Sequence, residues 1–318
     1  MRRLPCFSVA VGIVLVCAIG ATPARAQLNT QHLKGITGLK AGSQPPPHKY
    51  VVGPLIYIYT TDTVRNADGD RFPVDASITM VAGGAGFNHV TTKKILGGNY
   101  SYSVLVAGIN NRLQGTDIDL NPGGGLTDTG FVPIQLGWHG KRADAVAAFA
   151  MYLPTGRYND GATNNLGLGM WGFEPEVGAT VYLTESKQFH AATLASFTFQ
   201  TKKEDSDTKV GTALNFEGGI GGDFMQGGIT AGMVYYASFK LAEDRIDGIP
   251  SILIRGKNKV LALGPEVTIA IASKSKGMVY GFVKVNYQWE VYAKTNTQGS
   301  TMTIMASFPV PAFKLGGT

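Results

Sequence analysis

From Tyr50 to the end of the chain, apolar and polar residues alternate with a period of two in about 12 successive stretches. Between Met278 and Ala293, Val279, Val283, Val285, Tyr287, Trp289 and Val291 share one face, while Lys284, Asn286, Gln288 and Glu290 share the other. Leu214, Phe216, Ile220 and Phe224 likewise oppose Asn215, Glu217 and Asp223. Ile229, Ala231, Met233, Tyr235, Ala237 and Phe239 oppose Thr230, Tyr236, Ser238 and Lys240, and Leu261, Leu263, Val267, Ile269 and Ile271 oppose Glu266 and Thr268. A period of two sends alternate side chains to opposite faces of a strand. The pattern therefore predicts strands with an apolar outside and a polar inside, the inverse of a water-soluble core.

The connections alternate as well. Short turns are expected at Thr92-Lys93-Lys94, Gly140-Lys141-Arg142, Glu185-Ser186-Lys187, Met225-Gln226-Gly227 and Lys274-Ser275-Lys276. Long loops are expected near Thr61 to Pro73, Asn110 to Thr129, Pro154 to Met170, Lys203 to Val210, Ala242 to Gly256 and Lys294 to Gly299. Short periplasmic turns and long external loops are the habit of outer-membrane barrels, and an even strand count returns both ends of the sheet to the periplasm. The fold class is thus all-β: a transmembrane, antiparallel, up-and-down barrel of about 12 strands. Its last strand, near Thr301 to Phe308, sets Met302, Ile304, Ala306 and Phe308 on one face. Tyr57, Tyr59, Trp138, Trp171, Tyr182, Trp289 and Tyr292, near predicted strand ends, suit interfacial girdles or ordinary strand preference equally well.

Ahead of the strands, Arg2 and Arg3, the apolar run Val9 to Ala21 and Ala24-Arg25-Ala26 read as a cleavable secretory signal over residues 1–26. Residues 27–49 are polar and carry Pro45-Pro46-Pro47, which suits an extended arm that either plugs the barrel or stays in the periplasm. Residues 50–310 would form the outer-membrane barrel and 311–318 a tail. Both cysteines, Cys6 and Cys17, lie within the signal, so the exported chain has no disulfide, thiolate nucleophile or cysteine metal site. Loss of Arg2, Arg3 and Arg25 takes the basic residues from 28 to 25 against 22 acids, an excess too small to indicate nucleic acid.

Sequence motifs for catalysis or cofactors lack their contexts. Gly167 to Gly172 spells G-x-G-x-x-G, but a loop leads it into a strand rather than a strand into a helix. Ser273-Lys274-Ser275-Lys276 sits in a basic turn without the companion motifs of a serine acyl-enzyme. Asp117, Asp119 and Asn121 alternate as calcium-loop oxygens do, with Pro122 where glycine is needed. The histidines His32, His48, His89, His139 and His190 have no metal-ligand spacing. Neither an enzyme nor a bound cofactor is expected. The lumen-lining candidates are Asp144, Glu174, Glu176, Glu217, Asp223, Lys240, Glu266, Lys284, Gln288 and Glu290, with Lys202, His139 and His190 on the same face. Such groups either pair across a filled interior or set ion selectivity in an open one.

Several stretches resemble one family. They are Gly42-Ser43-Gln44-Pro45-Pro46-Pro47, Lys94-Ile95-Leu96-Gly97-Gly98 with Tyr100, Pro154-Thr155-Gly156-Arg157-Tyr158, and Asn165-Leu166-Gly167 through Trp171, Phe173, Glu174 and Pro175 to Thr180 and Tyr182. Together they resemble the meta-pathway of phenol degradation family over most of the exported chain. That resemblance implies an outer-membrane β-barrel, often encoded beside aromatic-degradation genes, that helps hydrophobic compounds enter, with no catalytic residues to carry over. Around Trp171 this chain has Gly169, Met170 and Gly172 where many relatives carry a second aromatic or an asparagine.

The expected function is uptake of small hydrophobic or aromatic molecules across the bacterial outer membrane, with lipid and lipopolysaccharide as surroundings. Glycines and Pro133, Pro175 and Pro265 within strands would open a lateral path or only set curvature. A general or ion-selective porin is the alternative, and a closed scaffold acting through its external loops is another.

Overall fold

A computed structural model describes residues 28–116, 118–247, 257–273 and 275–314. The signal expected at 1–26 with Cys6 and Cys17, Asp117 of the calcium-like loop and Lys274 lie outside the described residues. Twelve long strands form the wall. They are β1 (His48–Thr61), β2 (Ala76–Ile95), β3 (Gly98–Gly115), β4 (Thr129–His139), β5 (Ala143–Leu153) and β6 (Gly172–Tyr182). β7 (Phe189–Gln200), β8 (Ala213–Phe224), β9 (Ile229–Lys240), β10 (Lys259–Ser273), β11 (Met278–Lys294) and β12 (Ser300–Val310) complete it. Every strand pairs antiparallel with its neighbours in sequence, and β12 pairs with β1. The wall is a closed up-and-down barrel, and closure leaves no strand edge to be satisfied by lipid.

Alternation accounts for which face each strand turns outward. On β11, Val285, Tyr287, Trp289 and Val291 are exposed on the outer surface, whereas Asn286, Gln288 and Glu290 are buried inside. Bulges change the parity at defined points. One lies between Val52 and Leu55, around Pro54, and moves β1 against both its partners. Pro133 occupies another, between Phe131 and Ile134. Val279, expected outside, is buried because a bulge opposite Ile271 and Ala272 leaves Tyr280 as the exposed residue instead. Pro175 lies opposite Phe149 and Pro265 opposite Met233.

The short connections gather at one end of the barrel with the start of β1 and the end of β12; the long loops gather at the other. The β2–β3 turn differs from the one expected at Thr92-Lys93-Lys94. Lys94 pairs with Asn99 inside the hairpin, and the reversal falls on Leu96 and Gly97, whose φ angles of 50° and 82° match the twist of a two-residue hairpin. Among the loops, Val64–Arg65 pairs with Asn296–Thr297, while Ile118–Leu120 and Gly125–Leu126 add to β3. Phe313–Lys314, within the expected tail, returns to pair with Val279 and Met278 of β11.

Candidate functional site

Residues 28–47 run through the lumen without regular secondary structure, from the long-loop end to the short-turn end. Irregular backbone removed from water needs partners for every N–H and C=O, and the inward side chains of the wall provide many of them. At the loop end, Lys240 and Asp244 form a buried ion pair at 2.7 Å. Lys240 also donates to the Leu28 carbonyl (2.6 Å), and the Leu28 N–H donates to Asp244 (2.8 Å). Midway, Glu217 accepts from the N–H groups of Gly35 and Thr37 at 2.7 and 3.0 Å and from the Thr37 hydroxyl. Gln288 and Asn286 donate to the Gly35 carbonyl, and Lys284 donates to that of Ile36. Lower down, Glu266 accepts from the Leu39 N–H (3.1 Å), Lys40 pairs with Asp223 (2.7 Å) and Ser43 donates to Asp144 (3.0 Å). Gln44 donates to the Ser101 hydroxyl near the start of β3 (2.8 Å).

His32 sits between two carboxylates, Nδ1 at 2.7 Å from Glu174 and Nε2 at 3.1 Å from Glu217. Carboxylates only accept when ionised, so a ring that satisfies both donates twice, as an imidazolium. Glu174 is 0 % exposed and also receives the hydroxyls of Thr198 and Tyr152. Glu176 lies two residues further along β6, on the same strand face. Glu290 is the lumen carboxylate turned to the wall itself: it takes the hydroxyls of Tyr59 (3.0 Å) and Tyr236 (2.9 Å) and the Gly299 N–H. His139 pairs with Asp144, and Lys202 with Asp207 in the β7–β8 loop.

Above the middle of the arm lies a cavity of about 470 Å³, enclosed by residues 28–34 on one side. Its opposite wall is apolar: Tyr57 of β1, Ile78, Met80 and Ala82 of β2, and Leu105, Ala107 and Ile109 of β3. Leu166 and Leu168 of the β5–β6 loop roof it, and Glu290, Lys240, Asn258 and Asn296 stand at its polar margin. The roof is held by Asp128, which accepts from the Gly156 and Leu168 N–H groups and from Gln31 of the arm. Reciprocal bonds between Asn159 and Asn165, both 2.8 Å, close the loop on itself. In the same loop burial and the bond to Asp160 push the Tyr158 hydroxyl up to about 12.

The family described as "MetA-pathway of phenol degradation" matches residues 61–306. The chain belongs to it. Within this phenol-degradation family member, the residues that carry the resemblance, Pro154 to Tyr158 and Asn165 to Trp171, include the roof of the cavity. No curated protein matches the chain in sequence. Among solved structures, an outer membrane channel from Pseudomonas putida F1 is similar with a TM-score of 0.68 at 12% identity, over 90% of this chain and 100% of that one. The transport unit of the autotransporter AIDA-I from Escherichia coli has a TM-score of 0.45 at 8% identity, over 95% of this chain and 97% of the other. A TodX mutant monoaromatic hydrocarbon channel has a TM-score of 0.43 at 9% identity, over 85% and 91%.

Period-two reading singled out charged residues and missed the apolar wall of the cavity. A signal for it exists: Val104-Leu105-Val106-Ala107 is apolar at consecutive positions, so the strand is apolar on both faces. Val104 and Val106 are exposed outside, and Leu105 and Ala107 line the cavity. Tyr57, Tyr59 and Tyr182 also depart from the girdle reading. Tyr57 lines the cavity, Tyr59 bonds Glu290 and Tyr182 bonds Asp144, all on the inner face. The Tyr59 and Tyr182 hydroxyls find carboxylate acceptors there that lipid would not supply. Asp119 of the calcium-like loop accepts from two Arg112 nitrogens, Nη2 at 2.9 Å and Nε at 3.1 Å.

Proposed function

We propose that this outer-membrane barrel passes small hydrophobic or aromatic molecules, and that the cavity between the arm and β1–β3 is their way station. The apolar wall facing that cavity carries the reading. An apolar cavity of about 150 Å³ is enough to take up benzene, and the one here is about 470 Å³. The family's name and the roofing of the cavity by the Pro154 to Trp171 loop are in keeping with an aromatic cargo. Outside the wall, Val285, Trp289 and Val291 belong to the band that meets membrane lipid, with lipopolysaccharide around the long loops.

Two further features favour passage of apolar solutes over an open porin and over catalysis. The lumen that a porin would fill with water holds the arm. Glu174, Glu217 and Glu266, which would line a pore or serve a reaction, spend their lone pairs on the arm. On this proposal Asp144, Asp223, Lys284 and Gln288 hold the arm rather than touch cargo, and Lys240 holds it from the polar margin of the cavity.

Ala82→Phe and Ala107→Phe fill the cavity without adding charge. Uptake of toluene by cells producing either variant should fall towards that of cells lacking the protein, while the barrel still resists unfolding in detergent like the parent. Unchanged uptake in a variant shown to be folded would remove the cavity from the route.

A further inference from the structure

At the short-turn end the outer surface carries a chemistry that passage does not use. Phe87, His89, Tyr100 and Tyr102 form a row of ring contacts with centroids 5.5 to 6.4 Å apart. Trp138 stands next to it, its indole N–H donating to the Leu96 carbonyl at 3.0 Å. Aromatic side chains with a polar edge collect where hydrocarbon meets headgroups, so the row marks the level of the leaflet.

Beyond that level the turns present apolar tips to the outside. Leu96 is 86 % exposed and Met225 78 %. Both sit at the reversals of their hairpins with positive φ, 50° and 51°, a region that is uncommon for bulky side chains. Leu183 is exposed in a third turn. Around them stand Lys49, Lys93, Lys94, Lys141 and Lys276, exposed and without an ion pair among the described residues. The exposed acid of these turns, Glu185, is already paired with Arg142, and Asp144 and Asp223 turn inward to the arm. The first long loop is different: Asp62, Asp68, Asp70 and Asp75 outnumber Arg65 and Arg71. Across the described long loops acidic residues outnumber basic ones, whereas at the short-turn end the basic residues are in excess.

We infer that this rim is a binding surface for anionic phospholipid headgroups of the periplasmic leaflet. Lysine stems lie along apolar surface while their ammonium groups reach outward, which suits phosphate oxygens set just beyond an aromatic row. Charge complementarity selects the anionic lipid over a zwitterionic one, because each lysine adds its attraction to the phosphate plane. The rim stands independently of what the lumen carries.

The test uses the mature protein in nanodiscs of phosphatidylcholine doped with phosphatidylglycerol, followed by native mass spectrometry of the lipids it retains. Phosphatidylglycerol should be enriched over its share of the disc, and Lys93→Gln/Lys94→Gln should cut that enrichment by roughly fivefold or more. Raising salt should do the same to the parent protein, which keeps the test open if the variant folds poorly. Lys209→Gln/Arg245→Gln, at the long-loop end, should leave the enrichment intact. Equal retention of both lipids, enrichment indifferent to the rim lysines, or loss of the lipid to excess soluble glycerol phosphate would each overturn the inference. In the first two cases a periplasmic protein becomes the candidate occupant of the rim.

Discussion

Glu217 shows how single residues tie the arm to the wall. It is 3 % exposed, and its two oxygens serve the His32 ring, two arm N–H groups and the Thr37 hydroxyl. Removing one partner of a buried charged network costs about 3–5 kcal/mol, because the other groups are left without acceptors. Glu217→Ala should therefore lower the stability of the folded barrel by about 3 kcal/mol in urea titrations and make the arm accessible to protease. Loss of less than about 0.5 kcal/mol, the usual effect of a surface substitution, would mean that the arm does not lean on this carboxylate. Glycines matter here for the same reason. A Cβ on Gly42 would collide with the Ala179 backbone of β6, and one on Gly38 with the Glu266 carboxylate. The arm passes where it does because these residues have no side chain. Sequence reading could place Glu217 on an inward face from its neighbours Leu214, Phe216 and Ile220, but its partners lie 180 or more residues away in the chain. Alternation along one strand carries no information about such contacts.

Strands and loops differ in how much of them could be read. β8 to β12 were legible because their two faces differ in polarity at nearly every position. β2 and β3 were less so, since their inner faces are apolar as well and the two faces look alike. Bulges at Pro54 and Tyr280 reverse the facing of the residues beyond them, and parity counted from one end of a strand goes wrong there. The β5–β6 loop was recognised by its residues but not by its fold, which depends on Asp128 from another loop. Asp128→Ala should free this roof. Trypsin should then cut after Arg157, a side chain now bound to the Asn164 and Pro122 carbonyls, while the strands stay resistant. Cleavage no faster than in the parent would mean that the Asn159–Asn165 bonds hold the loop alone.

At the scale of the whole molecule, barrel width explains why an arm is needed. Roughly eight strands make an interior that side chains fill, and about 16–18 leave an aqueous channel. Twelve strands lie between, too wide to close on side chains and narrow enough for one extended segment to occupy much of the space. The polar composition and three prolines of the arm announced a segment unfit for the sheet. Its place inside the lumen comes from the wall's buried carboxylates and the arm's unpaired N–H groups satisfying each other, a match visible only once the barrel is closed. The arm thus fills the passage except for an apolar cavity. Planar-bilayer conductance of the refolded barrel with its arm, compared with a form lacking residues 28–47, puts this to the sharpest test. An arm that fills the lumen predicts negligible steady current from the whole protein and large, steady channels once the arm is removed; large steady channels from the whole protein, unchanged by the deletion, would contradict it.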